Sequence, residues 1–570
     1  MATLPPFQSD GNNPNADFSL KIHRGEGMSL LAMNWKTTTP PDNFVGFAIE
    51  YKEPNRTAFF ALKNRLCFKK DAALDQSISS LLAPFQKFRW VHFPKDTDLT
   101  GNFTYRVTPM FMDNNGVLSK GSVQEAAIAL FNETYPDQLN VTFTRGFVSS
   151  QAFVDYYGYD AVKTLLPPKA DDGLTFIPTH PKAEEALAWM GFEARREILK
   201  LLDQAIADTT AKVSVVAYDL SCSDVVNRLE KLGNRLQIII DDNGDHGKPQ
   251  SAETAATARL KISAGAANVK RQHMRQLQHN KTIIVEAKNW NAMVCGSTNY
   301  SWRGLYVQAN NAIIIKDKNA IKPFKDAFLA YWNDNHDNRF ENSTAALWQS
   351  LNLTDIKAKI AFSPHADSNA LLNKIAVDVN TNITSNMLFS LAFIYQTDGK
   401  LKDAVVGASQ NPNLFVYGIS DKPVGGINLV KPNGKVAIVS AESLSKNIPK
   451  PFKLEPSGGK GTRMHHKFVV IDFDKPTARV YMGSYNFSPT ADTKNGENLL
   501  LIEDRRIATS YMIEALRIFD HYHFRIASKE AKKAGVAMNL AEPPVDGSQP
   551  WWYEYYQDAR KINDRVLFSS

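Results

Sequence analysis

Met464-His465-His466-Lys467-Phe468-Val469-Val470-Ile471-Asp472, followed by Gly483-Ser484-Tyr485-Asn486-Phe487-Ser488 and Asn495-Gly496-Glu497-Asn498, decides how this chain is read. An earlier stretch repeats it: His279-Asn280-Lys281-Thr282-Ile283-Ile284-Val285-Glu286, then Gly296-Ser297-Thr298-Asn299-Tyr300-Ser301 and Gln308-Ala309-Asn310-Asn311. Each copy holds a His-x-Lys, an apolar run, an acidic residue and a Gly-Ser-x-Asn turn at matching distance. A lone His-x-Lys carries almost no information. Two copies with the same trailing pattern point to a duplicated unit.

The spacing has chemical content. Side chains two apart on a strand project from one face. His465 therefore shares a face with Lys467, and His279 with Lys281, while His466 and Asn280 turn away. The runs 282–285 and 468–471 bury the strands that fix them. An ammonium neutralises non-bridging phosphate oxygens, and an imidazole, with an ordinary pKa of about 6.5, attacks or gives a proton near neutrality. Asn299 and Asn486, with the Ser297 and Ser484 hydroxyls, add donors for charge developing on oxygen. Asp472 and Glu286 stand five positions past the lysines, on the opposite face by the same parity. Both are expected to support the scaffold and not the reaction. Glu497, brought back after the Gly-Ser turn, is the candidate for orienting a histidine ring.

This pattern resembles the signature of the phospholipase D superfamily, carried twice between about Pro178 and the C-terminus. The first copy departs from it: Glu286 stands where Asp is usual, and Asn310 aligns with Glu497. The half-sites are therefore not expected to be equal. The resemblance implies one site assembled from both halves and a double displacement at phosphorus, with no metal and no cofactor. One histidine attacks to form a phosphohistidine; the other protonates the leaving oxygen, then activates water or an acceptor alcohol. By analogy with two-motif relatives His279 is the nucleophile, the exchange with His465 staying open. The catalytic set is then His279, Lys281, His465, Lys467, Asn299, Asn486 and Glu497, with Ser297 and Ser484 on the substrate. Two-motif members are more often phospholipid hydrolases or phosphatidyltransferases, which puts a phospholipid substrate and contact with a membrane surface first. The second motif's wording also resembles small single-motif endonucleases, so a nuclease is the second reading, and an inactive phosphate-binding module the third. Since one chain carries both motifs, an oligomer is not required.

Working outward, the chain is expected to be α/β, with two duplicated α/β/α halves around a shared site and a small β-sandwich in front. In the first half (178–350) a helix is expected over 184–207, a strand over 213–218, a helix over 224–231 and a strand over 236–240. The second half (351–570, with a closing segment) repeats the order at 369–378, 387–395, 401–409 and 414–419, the last strand ending near Asp421. Such alternation implies parallel crossover units. Before residue 131, short apolar runs (44–51, 57–62, 88–93, 104–111, 126–131) between turn residues read as a sandwich resembling a fibronectin type III module, an accessory domain for targeting or a partner. Residues 132–177 are expected to be a connector.

Composition sets limits. A net charge of +7 on 570 residues permits attraction to phosphate without making a nucleic-acid tail. The three cysteines, Cys67, Cys222 and Cys295, are too few and too dispersed for a disulfide framework or thiolate metal cluster. No window reaches the roughly 20 apolar residues of a membrane span, and the start does not read as a secretory signal, so a cytoplasmic protein is expected. His465-His466 is adjacent and not at ligand spacing, so no metal site is expected there. Residues 270–275 read as a solvated basic face at the rim of the first motif. Gly458–Gly461 reads as a flexible approach to His465, and the aromatic run 551–556 as rings closing onto a core.

Overall fold

The computed structural model describes residues 4–570 apart from 70–76, 95, 131–132, 147–152, 154–155, 159, 335–338, 393, 395–398, 421–438, 441–463, 534–537 and 546. Asp421 and the Gly458–Gly461 stretch thus lie outside the described residues. Two compact units are present, one built from Met1–Asn132 with Thr509–Ser570 and one from Glu133–Leu429 with Ala437–Ala508. Residues from Thr509 onward, expected to close the second half, therefore group with the N-terminal unit.

Among the described residues the first unit has two larger antiparallel sheets and a two-stranded ribbon of Lys63–Asn64 with Ile78–Ser79. One runs Gln8–Asp10, Phe18–Gly25, Met28–Trp35, Arg89–His92; the other runs Leu118–Lys120, Asn102–Met112, Phe44–Lys52, Phe60–Ala61, with Gln124–Ala129 also on Asn102–Met112. Alternating residues of both sheets, among them Phe18, Ile22, Leu31, Phe47, Tyr105 and Val107, share one core. The expected runs at 44–51, 88–93 and 104–111 are strands here. The 57–62 run shortens to Phe60–Ala61. The hairpin 18–35 was not foreseen. Its pattern is broken by Arg24 and Glu26, a buried ion pair at 3.5 Å. Trp551 and Trp552 pack into the same core, Trp551 stacking on Phe88 and donating its indole N–H to the Phe44 carbonyl at 2.9 Å. The closing-ring reading of 551–556 holds.

The second unit contains the duplication. Its first sheet has the order Leu139–Phe143, Asn311–Ile315, Asn291–Gly296, Thr282–Glu286, Lys212–Ala217, Leu236–Ile240, Val269–Arg271. Its second has Lys357–Ser363, Glu497–Glu503, Arg479–Gly483, Lys467–Ile471, Asn386–Leu391, Phe415–Ser420, Val439–Ser440, with Gln349–Ser350 added at the edge. The orders match strand for strand. Helices foreseen from apolar spacing appear at Ala183–Ala207, Ser223–Lys231, Leu372–Thr381 and Lys400–Gln410.

The expected parallel crossover units are present in both halves, Lys212–Ala217 on Leu236–Ile240 and Asn386–Leu391 on Phe415–Ser420, while both motif strands pair antiparallel with their neighbours. The short segments 287–290 and 472–478 that follow the motif strands turn the chain back along the adjacent strands Asn291–Gly296 and Arg479–Gly483. The connector is not merely a connector, since Leu139–Phe143 within it is the edge strand on Asn311–Ile315. The backbones of the two halves touch at pseudo-equivalent places: His465 N–H donates to the Ala309 carbonyl at 3.1 Å, and Gly496 N–H to that of Leu277 at 2.8 Å.

Candidate active site

Both motif histidines precede their strands, which begin at Thr282 and Lys467. The side chains of the lead-ins still alternate, and the parity argument survives. Asn280 and His466 face away, Asn280 Oδ1 accepting from Asn498 Nδ2 at 2.5 Å and His466 Nδ1 lying 3.5 Å from Asn311 Nδ2. His279, Lys281, His465 and Lys467 are all buried. The rings of His279 and His465 stand with centroids 6.4 Å apart, planes at 68°.

What orients the rings is crossed between the halves. His279 Nδ1 lies 2.7 Å from Glu497 Oε2, a residue of the second half. His465 Nδ1 lies 2.8 Å from Asn310 Oδ1, a residue of the first. Asn310 donates its Nδ2 to the Gly304 carbonyl at 2.8 Å and receives the Ser297 hydroxyl at 3.0 Å, which fixes its oxygen toward the histidine. Each imidazole therefore carries its proton on Nδ1 and keeps Nε2 for chemistry. Asn495 Nδ2 holds the other Glu497 oxygen at 3.2 Å. The role of Glu497 was legible from its position after the Gly-Ser turn. That of Asn310 was not, because alignment marks it as a departure and says nothing of a partner in the other half.

The lysines curl back over their own histidines. Lys281 Nζ donates to the His279 carbonyl; Lys467 Nζ donates to the His465 carbonyl at 2.9 Å and lies 3.1 Å from His465 Nε2. Burial pushes the His279 imidazole down to about 4 against the pull of Glu497, and brings Lys281 down to about 8. Burial and the Lys467 charge hold His465 well below the ordinary histidine value; burial and the Lys281 charge hold Lys467 well below the ordinary lysine value. An electropositive, dehydrated site of this kind lowers its energy by taking an anion.

Asn299 and Asn486 occupy equivalent turns, and each keeps a buried side-chain oxygen with no hydrogen-bond partner among the described residues. The Ser297 and Ser484 hydroxyls have partners within the protein. The Ser297 hydroxyl donates to Asn310 and accepts the Asn311 N–H at 3.0 Å; the Ser484 oxygen receives Asn498 N–H at 2.9 Å and Nδ2 at 3.2 Å. Both knit the turn to the strand carrying the orienting residue. Asp472 accepts the N–H groups of Thr384, Ser385 and Asn386, and Glu286 pairs with Lys325 at 2.8 Å. Neither carboxylate is hydrogen-bonded to a motif histidine or lysine.

The basic stretch is not a solvated rim. Lys270 donates to the Trp332 and Asp334 carbonyls, Arg271 to those of Asp241 and His246, and His273 pairs with Asp242 at 2.8 Å. Sequence reading also missed Tyr218, whose ring meets His279 at 4.6 Å and lies under Lys281 Nζ at 4.7 Å. Beyond it, donor atoms of Asp219, His246 and Glu253 come within 4.8 Å of one another, a set that invites a divalent cation. His246 already has a carboxylate at each ring nitrogen, Asp241 at 2.8 Å and Asp219 at 3.1 Å. That requires a proton on both nitrogens and leaves no lone pair for an ion.

A family profile described as "Cardiolipin synthase, PLD-like domain" matches residues 202–332 and 427–519, the segments that carry both motifs. Phospholipase D of Rickettsia prowazekii (strain Madrid E) is 48% identical over 114 residues, 18% of this chain and 54% of that protein. Phospholipase D of Rickettsia typhi (strain ATCC VR-144 / Wilmington) is 46% identical over the same coverage. The chain spans about half the length of these curated relatives. Among solved structures, phosphatidylserine synthase of Haemophilus influenzae Rd KW20 superposes with a TM-score of 0.36 at 13% identity, covering 65% of this chain and 92% of that one. Two strand-for-strand matching sheets, each bearing the motif and each supplying the acceptor for the other's histidine, coincide with the matched segments 202–332 and 427–519, and together they support the phospholipase D superfamily for these two halves.

Proposed function

We propose that the chain is a phosphodiesterase that cleaves a phospholipid diester through a phosphohistidine on His279. The observation carrying this reading is the facing pair of buried histidines, each oriented from the opposite half. Glu497 gives His279 a carboxylate that steadies the positive ring formed when Nε2 bonds to phosphorus. His465 rests on a neutral amide beside Lys467, which makes it the weaker base and the better acid. In the first step the His279 Nε2 lone pair forms the N–P bond while the P–O bond to the leaving group breaks. Protonated His465 passes its Nε2 proton to the departing oxygen. The anionic diester favours this protonated form, since its charge offsets that of Lys281 and Lys467. In the second step water, or an acceptor alcohol, gives its proton to His465 as its oxygen bonds to phosphorus and the N–P bond breaks. The Nδ1 proton of His279 stays with Glu497 throughout. Lys281 and Lys467 neutralise the non-bridging oxygens, with Asn299 and Asn486 as further donors.

The names of the matching family and relatives support lipid over nucleic acid, and a lipid substrate entails work at a membrane surface. No helix among the described residues is long and apolar enough to cross one. Phosphatidylcholine vesicles and single-stranded DNA, each incubated with the chain and a chelator, separate the readings. Choline release that disappears in both His279→Ala and His465→Ala is the expected result. DNA fragments lost in the same variants, without choline release, would assign the site to nucleic acid. Cleavage that survives removal of both histidines would sink the mechanism.

A further inference from the structure

The Tyr218 ring stands between His279 and a second histidine, His246, whose ring meets it at 4.5 Å and 65°. The strand registers make the corresponding residue of the second half Ala392, because Val216 pairs with Thr282 as Ser390 does with Phe468. The first half-site thus has an aromatic ring at a position where the second half has alanine.

His246 directs Nδ1 to Asp241 Oδ2 at 2.8 Å and Nε2 to Asp219 Oδ1 at 3.1 Å. Two carboxylate acceptors on one ring demand two protons, hence a cation. Burial opposes the charge, but the hydrogen bonds to Asp219 and Asp241 overcome it and carry the imidazole up to about 10. Glu253 also bears on the ring, its own carboxyl raised by burial, while the Arg271 guanidinium is taken by the His246 and Asp241 carbonyls. Lys281 and Arg303 act on Asp219 from the site side.

Asp241 links this cation to the catalytic strand. It is fully buried, and its Oδ1 accepts the backbone N–H of Gln278, the residue before His279, at 2.7 Å. Its Oδ2 also receives the Asn243 N–H at 3.1 Å. Two routes therefore run from His246 to the site, one through Asp241 to the Gln278 backbone and one through the Tyr218 ring to His279 and Lys281. We propose that His246, as an imidazolium locked between Asp219 and Asp241, is a positioning residue of the first half-site that sets the placement of His279 and Lys281.

The kinetic part of the test rests on the phosphodiesterase reading; the spectroscopic part does not. The full chain, labelled with ¹⁵N-histidine, is compared with His246→Gln and His246→Ala by NMR, with melting temperatures recorded alongside. The wild type should show one imidazole protonated at both nitrogens past pH 8, absent from both variants, and the His279 resonances should move in His246→Ala. On bis(p-nitrophenyl) phosphate kcat should fall about 10–100-fold in His246→Ala, as for loss of an orienting partner, with KM nearly unchanged. His246→Gln, which still donates to one carboxylate, should recover part of kcat. If the alanine variant does not fold, the glutamine variant decides. Absence of the imidazolium from the wild type would overturn the proposal. So would His279 resonances that stay put, or a loss confined to KM. A wild type inert on every diester would fail the phosphodiesterase reading while leaving the resonances to judge His246.

Discussion

A carboxylate behind one imidazole and an amide behind the other set His279 and His465 apart, as does the Tyr218 ring against His279 where the second half has Ala392. The pH dependence follows with a definite sign. Burial places the folded His279 pKa near 4, below its unfolded value of about 6.5, so the neutral, nucleophilic ring persists through mildly acid solution. The acid limb of kcat/KM is expected near pH 4 as His279 gains a proton, and the alkaline limb follows loss of the His465 proton, which burial and the Lys467 charge make easy to lose. Because Glu497 raises the His279 pKa, Glu497→Gln should shift the acid limb lower still and reduce kcat about 10–100-fold. Asn310→Asp should act in the opposite sense on His465, raising its pKa, read from its ¹⁵N resonances. By linkage, the stability tied to neutral His279 is complete above about pH 6.5 and lost as pH falls toward 4. His279→Gln should therefore be less sensitive to acid over that window in a melting-temperature series. The histidines and lysines were legible because a period of two projects them together. His246, Asp241 and Tyr218 were not, because their service to the site passes through backbone and ring contacts with no fixed spacing in the chain.

The turn that leaves each return strand depends on Gly296 and Gly483, the last residues of Asn291–Gly296 and Arg479–Gly483. Both have positive φ, 144° and 151°, and a Cβ would lie 2.5 Å from the Asn311 carbonyl oxygen and 2.2 Å from that of Asn498. Those neighbours follow Asn310 and Glu497, so a push there moves the acceptors of both histidines. Gly483→Ala is expected to cost about 2 kcal/mol or more and to lower kcat further than KM is changed, measured by denaturant unfolding and steady-state kinetics. Apolar runs made the motif strands readable, and amphipathic spacing did the same for Ala183–Ala207 and Ser223–Lys231. The helix Ala252–Ala264 escaped because its alanines and threonines form no apolar stripe, although Ser251 caps it. The edge strand Leu139–Phe143 and its counterpart Lys357–Ser363 escaped because their pairing partners Asn311–Ile315 and Glu497–Glu503 lie far along the chain.

At the scale of the molecule, one chain supplies both histidines and both acceptors. Removing His279 or His465 should therefore be nearly as damaging as removing both, since the two act as a unit. Mixing the His279→Ala and His465→Ala proteins should restore no activity; recovery on mixing would mean that halves exchange between chains. The duplication could be read from the repeated motif, and the β-rich front from its turn spacing. The return of residues after Thr509 to the N-terminal unit could not, because nothing local marks which core a C-terminal aromatic run will join. The crossed acceptors carry a consequence for biosynthesis. A nascent chain that has emerged past Asn311 holds a complete first motif, yet its reactive ring has no carboxylate until Glu497 leaves the ribosome and docks. On the mechanism proposed above the nucleophile is armed last, and fragments ending before that point should be chemically silent.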